Sequence, residues 1–241
     1  MFSDVLLLLR YSLELIFLYI CCYRVATLGV LSLTPTGEPS GQPTGESPVL
    51  LHRYSFDDTA GSTTALDTTD VFAYGGSAKN ASVVGSASDL YISNGKATFQ
   101  GSSISNAPYV DLGADIMEGN EAVTVELWVN ATSLNTHQKF LFQFGQAVAN
   151  TFEGSISLLS HSVGNLIFLA EFFPAYSSVK FTSLVNAHVV TVYNPTAETS
   201  LLYVNGLLNA NLTSSAALPS STALNRLGKC SYTSNQGFSG S

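Results

Sequence analysis

Hydrolysis of a glycosidic bond needs two carboxylates facing one cleft, about 5–5.5 Å apart for retention of configuration. On a strand that means acids at positions i and i+2 or i+4. No strand expected here carries such a pair. Glu126 stands between Thr124 and Trp128, Glu153 and Glu171 are isolated, and Asp115 and Glu118 fall three apart in a loop or single turn. Glu126 is therefore expected to be a sheet-face residue satisfied by a neighbouring Thr or Tyr. No serine lies in a Gly-x-Ser-x-Gly elbow. The four histidines, His52, His137, His161 and His188, lack the spacing of a zinc site. Calcium takes 6–8 hard oxygen ligands from carboxylates and carbonyls on loops. Asp57, Asp58, Asp67 and Asp70 lie in one polar loop after the first expected strand and are of that ligand type. The competing reading is an ordinary turn-forming loop, because Asp is common at turns.

Three Asn-x-Ser/Thr sequons, at Asn80, Asn130 and Asn211, are expected glycan acceptors if the chain is exported. Phe168, Phe172, Phe173 and Tyr176 gather around Pro174. Exposed, such rings would stack on sugars; buried, they would cap a core. Trp128 fits a core or sheet-face position better than a ligand platform.

The elements that must position these residues are strands. Residues 122–130 alternate, with Val123, Val125, Leu127 and Val129 on one face and Thr124, Glu126, Trp128 and Asn130 on the other. Phe140, Phe142 and Phe144 are expected to share a face. Further strands are expected at 51–56, 96–100, 109–112, 155–160, 166–172, 187–193, 200–204, 207–212 and 224–229. Asn205 and Gly206 signal a type I′ hairpin turn. Many short strands separated by turn signals predict an all-β, two-sheet antiparallel sandwich.

Ahead of this body, residues 5–33 are almost wholly apolar, interrupted by Arg10, Glu14 and Arg24. They predict a hydrophobic helix that is either a cleaved signal peptide or an uncleaved signal anchor. Both place the remainder outside the cell, secreted or on its surface, touching a membrane only through an uncleaved segment. Cys21 and Cys22 belong to this segment, leaving Cys230 as the one cysteine of the body. Residues 34–48 carry three copies of Pro-(Ser/Thr)-Gly-(Glu/Gln) and predict a solvated, disordered linker. Charged residues are only 11% of the chain and the net charge is −8, with no Lys/Arg cluster, which excludes a nucleic-acid backbone as partner.

In order along the chain, LHRYSF (51–56), APYVDL (107–112), VTVELWV (123–129), FLFQFG (140–145), AHVVTVY (187–193) followed by LYVNG (202–206), and NRLG (225–228) resemble the strands of laminin-G-like, concanavalin A-like jelly rolls. The resemblance covers about 49–241 and implies a jelly roll of two curved sheets. It implies a non-catalytic extracellular module that recognises a glycan or a protein. Family members often hold calcium at the rim; Asp57 and Asp58 match that first loop, so the resemblance implies them as the calcium ligands. The resemblance gives His188 a packing role. The family's last strand has no counterpart before Ser241, so the sandwich is expected to lack it. Two other readings stand beside recognition. One is a glycoside hydrolase-like enzyme or the accessory domain of one. The other is a structural, glycosylated spacer.

Overall fold

A computed structural model describes residues 18–23, 49–69, 78–100, 107–114, 116–117, 120–131, 139–145, 155–160, 164–170, 173–214, 218, 224–229 and 239–240. The strands are β1 (Leu18–Tyr23), β2 (Val49–Tyr54), β3 (Thr64–Ala65), β4 (Ala81–Val84), β5 (Leu90–Ser93), β6 (Lys96–Gln100), β7 (Tyr109–Asp111) and β8 (Ala122–Val129). They continue with β9 (Phe140–Gly145), β10 (Ser155–Ser160), β11 (Asn165–Ala170), β12 (Phe173–Lys180), β13 (Ala187–Asn194), β14 (Thr199–Val204), β15 (Leu207–Leu212), β16 (Leu224–Leu227) and β17 (Ser239–Gly240). One 3-10 turn, Phe181–Ser183, leads out of β12.

A six-stranded sheet runs β15-β14-β13-β8-β1-β2 and an eight-stranded sheet runs β12-β11-β10-β9-β16-β7-β4-β3. A small sheet, β17-β6-β5, completes the set. Every pairing is antiparallel. The sandwich expected from alternation is thus present. Its core lies between the two large sheets. Val123, Val125, Val189, Tyr193 and Leu202 come from one side; Val110, Phe142, Phe144, Leu158, Phe168 and Leu227 from the other. Phe168 meets Tyr193 edge-on across this core, with ring centroids 6.5 Å apart.

β13 shows how alternation becomes structure. Its residues strictly alternate between buried and half-buried, so Ala187, Val189, Thr191 and Tyr193 enter the core. The hairpin into β15 turns at Asn205 and Gly206, with φ of 51° and 78°. Positive φ at both positions is the type I′ geometry the Asn-Gly pair predicts. The same pair recurs at Asn94 and Gly95, with φ of 51° and 71°, and joins β5 to β6.

Two expectations are corrected. Phe140 does not share a face with Phe142 and Phe144. Leu158 pairs with Phe142 while the next residue, Leu159, pairs with Phe140. That leaves Leu141 as an extra, bulged residue, and a bulge turns everything beyond it to the other face. Phe140 therefore packs with Leu159, Ile167 and Leu169 in a second apolar cluster. The helix expected over the N-terminal apolar segment is also absent where the segment is described. Residues 18–23 are β1, an interior strand hydrogen-bonded to β8 and β2. An interior sheet position satisfies both backbone edges of such a segment, as a helix would. Residues 1–17 and the linker 34–48 lie outside the described residues, as do 24–33. Among the described residues no helix is long and apolar enough to cross a membrane.

Candidate functional site

Strand register places one row of side chains across the whole eight-stranded sheet. The pairings Thr64–Ser82, Ser82–Asp111, Asp111–Arg226, Arg226–Gln143, Gln143–Ser157, Ser157–Leu169 and Leu169–Pro174 connect it from edge to edge. Its neighbours along the strands, Val110, Leu227, Phe142, Leu158 and Phe168, point into the core. The row must then occupy the outer face. Six consecutive members are polar, which is unusual for the face of a sheet whose central strands are otherwise apolar.

The open half of the row holds exposed Ser82 and half-buried Asp111 and Arg226. Towards β10 it becomes buried, with Gln143 at 4% and Ser157 at 0% exposure. The Arg226 guanidinium lies 4.4 Å from the centre of the Tyr109 ring, and the Lys229 Nζ lies 5.3 Å from the same ring. Tyr109 precedes Asp111 by two residues and so stands beside it on the same face. The Asp111 carboxylate accepts the Gly113 N–H at 2.9 Å. Arg226 Nε is buried and has no hydrogen-bond partner, and neither has Ser157 Oγ. A buried donor without an acceptor costs roughly 1–3 kcal/mol, so such groups call for an explanation. A guanidinium placed over a ring is suited to planar or paired oxygen acceptors.

The other expected site residues are distributed as follows. Asp57 is exposed; Asp58 is half-buried and accepts the Leu66 N–H at 3.3 Å. Asp67 is committed elsewhere. Its Oδ2 accepts from His52 Nδ1 at 2.7 Å and from Lys79 N–H at 2.9 Å, and its Oδ1 from the N–H groups of Arg53 and Thr69 at 3.0 Å. Burial by itself would raise the Asp67 pKa. The hydrogen bonds from His52 and from the Arg53 and Lys79 backbone outweigh it and hold the carboxyl well below the usual range. Burial, with the Asp67 charge adding to it, pushes the Tyr54 hydroxyl well above its ordinary value, and that hydroxyl donates to the Lys79 carbonyl at 2.7 Å. This network ties the first rim loop to β2 and leaves Asp67 no oxygen for a metal. Among the described residues no group of three or more His, Cys, Asp or Glu gathers around one point. For calcium, the described part of the rim loop offers Asp57 and Asp58 as the carboxylates with oxygen to spare. Asp70 lies outside the described residues.

Glu126 is paired, but not with Thr or Tyr: its Oε1 lies 2.6 Å from His188 Nε2. His188 stacks on Trp128, with ring centroids 4.4 Å apart and planes at 30°. This cluster sits on the outer face of the six-stranded sheet, roughly 30% exposed at both partners, where such a pair is worth at most about 1 kcal/mol. The aromatic group around Pro174 is divided. Phe168 is wholly buried and Tyr176 is 59% exposed. Phe168 pairs with Ala175 and the adjacent Ile167 with Tyr176, so the two rings lie on opposite faces. Of the sequon asparagines, Asn80 and Asn211 are exposed and Asn130 is half-buried. Asn80 Oδ1 accepts the Asp67 N–H at 3.1 Å. Phe172, Asp115, Glu118, His137, Glu153, His161, Glu171 and Cys230 lie outside the described residues.

Arg226 and Tyr109 belong to no motif that singles them out in the sequence. Their alternation with Leu227 and Val110 does point both outward. What it cannot show is that β16 lies beside β7, more than a hundred residues earlier.

No protein with a curated description matches the chain. Among solved structures it is similar to the CBM40 domain of a Ruminococcus gnavus IT-sialidase. With α2,6-sialyllactose bound, the identity is 15% and the TM-score 0.40, covering 58% of this chain and 85% of that one. With α2,3-sialyllactose bound, the identity is 17% and the TM-score 0.39, covering 58% and 84%. Without ligand, the identity is 17% and the TM-score 0.40, covering 58% and 85%. The profile of a laminin-G-type family, described as the concanavalin A-like lectin/glucanases superfamily, matches residues 105–241, from β7 through β16 to β17. That stretch is over half of the chain and supplies most strands of both large sheets, so the chain belongs to the concanavalin A-like lectin/glucanase superfamily.

Proposed function

We propose that this domain is a non-catalytic recognition module, working outside the cell, that holds a glycan on the outer face of its eight-stranded sheet. The observation that carries this reading is the half-buried Arg226, its guanidinium over the Tyr109 ring, with the Lys229 Nζ over the same ring. Sugars present closely spaced hydroxyls and, in acidic sugars, a carboxylate. A guanidinium suits either, and the Tyr109 ring supplies a flat amphipathic surface next to it. Two of the chain's nine bases converge on this one ring in a protein of net charge −8. Against the single Asp111 carboxylate opposite Arg226, the two cations leave the site net positive, which favours an anionic sugar locally against the overall charge.

The test is a glycan array probed with the full chain, Arg226→Ala and Arg226→Lys. Acidic glycans are expected to bind, and Arg226→Ala to weaken them about 10- to 100-fold, as for loss of a hydrogen bond to a charged group. Arg226→Lys keeps the charge but not the fork and should recover only part of this. Melting temperatures should stay close to wild type, since the variant removes an unsatisfied buried donor. Equal binding by Arg226→Ala would place the ligand elsewhere, and cleavage of any arrayed sugar would refute a non-catalytic role.

A further inference from the structure

Of the three sequon asparagines, Asn80 alone belongs to the sheet that carries the polar row. It is exposed and directly precedes β4. Asn211 lies in β15 and Asn130 directly follows β8, so both belong to the six-stranded sheet. The third residue of the Asn80 sequon is Ser82. That serine is an exposed member of the row, opposite Asp111, which in turn lies opposite Arg226. The attachment signal and the candidate site therefore share a residue.

The backbone sets the distance between them. Ala81 enters the core, while Asn80 and Ser82 on either side of it are exposed. Residues rise about 3.3 Å along a strand and strands lie about 4.8 Å apart, so the Cα of Asn80 is roughly 12 Å from that of Arg226, across Ser82 and Asp111. The first few sugars of an N-linked glycan span that distance.

The amide of Asn80 is also suitably held. Its Oδ1 accepts the Asp67 N–H at 3.1 Å. A glycan is attached at the other end of the amide, through Nδ2, and leaves the carbonyl oxygen able to accept. The bond to Asp67 thus survives modification. Asp67 is itself fixed by His52, Arg53, Thr69 and Lys79, so the root of the glycan is anchored to a rigid part of the rim.

We infer that Asn80 carries an N-linked glycan that lies over the open half of the polar row and competes in cis with external glycans for the Arg226–Tyr109 site. This rests on the recognition site proposed above. A short tether holds its ligand at an effective concentration of order millimolar, so even a weak contact competes. Acidic ends on that glycan would meet Arg226 and Lys229, the two cations at the Tyr109 ring. Trimming or removing the glycan uncovers the site, so glycan processing sets the affinity of the domain.

The test uses the full chain from a eukaryotic secretory host and an array of carboxylated and sulfated oligosaccharides. Peptide mass mapping should find Asn80 occupied. Asn80→Gln and Ser82→Ala each destroy the sequon, and Ser82→Ala leaves the Asn80–Asp67 hydrogen bond in place. Both should bind the array about 10-fold more tightly than wild type, as for removal of a tethered competitor. A mere loss of a Ser82 contact would change binding in the opposite direction. Asn211→Gln, which removes a sequon on the other sheet, should bind as wild type does. Adding Arg226→Ala to Asn80→Gln should abolish the gain. An unmodified Asn80 would overturn the inference. So would an occupied Asn80 with both sequon variants binding no more tightly than wild type; if Arg226→Ala still weakened binding, the recognition site would stand without its cis competitor. Failure of every chain, Asn80→Gln included, to bind any acidic glycan would overturn the site and the competitor together.

Discussion

Replacing Asp67 by Ala is expected to lower the stability of the sandwich by about 3–5 kcal/mol, because several donors lose one buried carboxylate acceptor at about 1–3 kcal/mol for each donor left unsatisfied. The side chain is fully buried. It gathers His52 Nδ1 and the N–H groups of Arg53, Thr69 and Lys79 on its two oxygens. In the variant those donors, buried at His52 and Thr69 and part-buried at Arg53 and Lys79, lose that acceptor. Urea unfolding of both chains measures the loss. The effect is also pH-dependent, and its sign follows from the depressed pKa. Unfolded, Asp67 titrates near the ordinary value of about 3.9; folded, it titrates well below that. Its contribution is therefore complete above the unfolded value and is lost as pH falls through it towards the folded one. The stability gap between wild type and Asp67→Asn should be constant from pH 7 to about pH 5 and narrow below that. A gap that stays constant down to pH 3 would mean that the carboxylate's charge is not what holds the rim loop to β2.

Gly228→Ala is expected to cost roughly 2–4 kcal/mol, from two causes that can be separated. Gly228 has φ of +82°, in the left-handed region that penalises any side chain. A Cβ there would also lie 2.3 Å from Phe99 Cε1 and 2.7 Å from Cδ1. Phe99 is itself only 6% exposed, so its ring has little room to retreat. Gly206 is the matched control. Its φ is +78° and nothing lies within 4 Å of its added Cβ, so Gly206→Ala carries only the backbone penalty, about 1 kcal/mol. Chemical denaturation of both variants should show Gly228→Ala to be the more damaging by about 1–3 kcal/mol. Shortening the ring with Phe99→Leu in the Gly228→Ala background should recover part of that difference. Equal costs at the two glycines would show that the Phe99 contact yields freely. Gly228 lies two residues after Arg226, so this variant also tests how rigidly the sheet presents the Arg226–Tyr109 pair.

Signals that depend only on neighbouring residues are legible in the sequence. Period-two alternation locates β8, β13 and β14, and Asn205 with Gly206 locates the hairpin between β14 and β15. Asn94 with Gly95 is an equivalent signal, and it marks the turn between β5 and β6. β12 is harder to see because Pro174 argues against a strand. It pairs with β11 alone, at the edge of its sheet, where a missing N–H is tolerated. Phe140 escapes a reading by alternation for a different reason. A bulge is a property of two strands in register, and one strand's alternation cannot reveal it.

The candidate site is less legible than the fold. Asp67 has the look of a rim-loop acid, because nothing in its spacing shows that His52 will occupy it. Glu126 stands isolated in the sequence because its partner, His188, arrives from another strand. Arg226 and Tyr109 meet only because β16 is laid beside β7.

Side-chain period, turn chemistry and composition suffice for an all-β body, its main turns, a low-charge surface and an apolar N-terminal segment of two possible fates. Each of these acts over a few residues, so a short window of sequence contains it. Strand order and register, which only the folded chain possesses, choose which outward-facing residues become neighbours and which acids are spent on internal donors. They also make residues 18–23 an interior strand. Such outcomes are set by packing both sheets on one core and by satisfying every interior backbone edge, and no short window of sequence holds them.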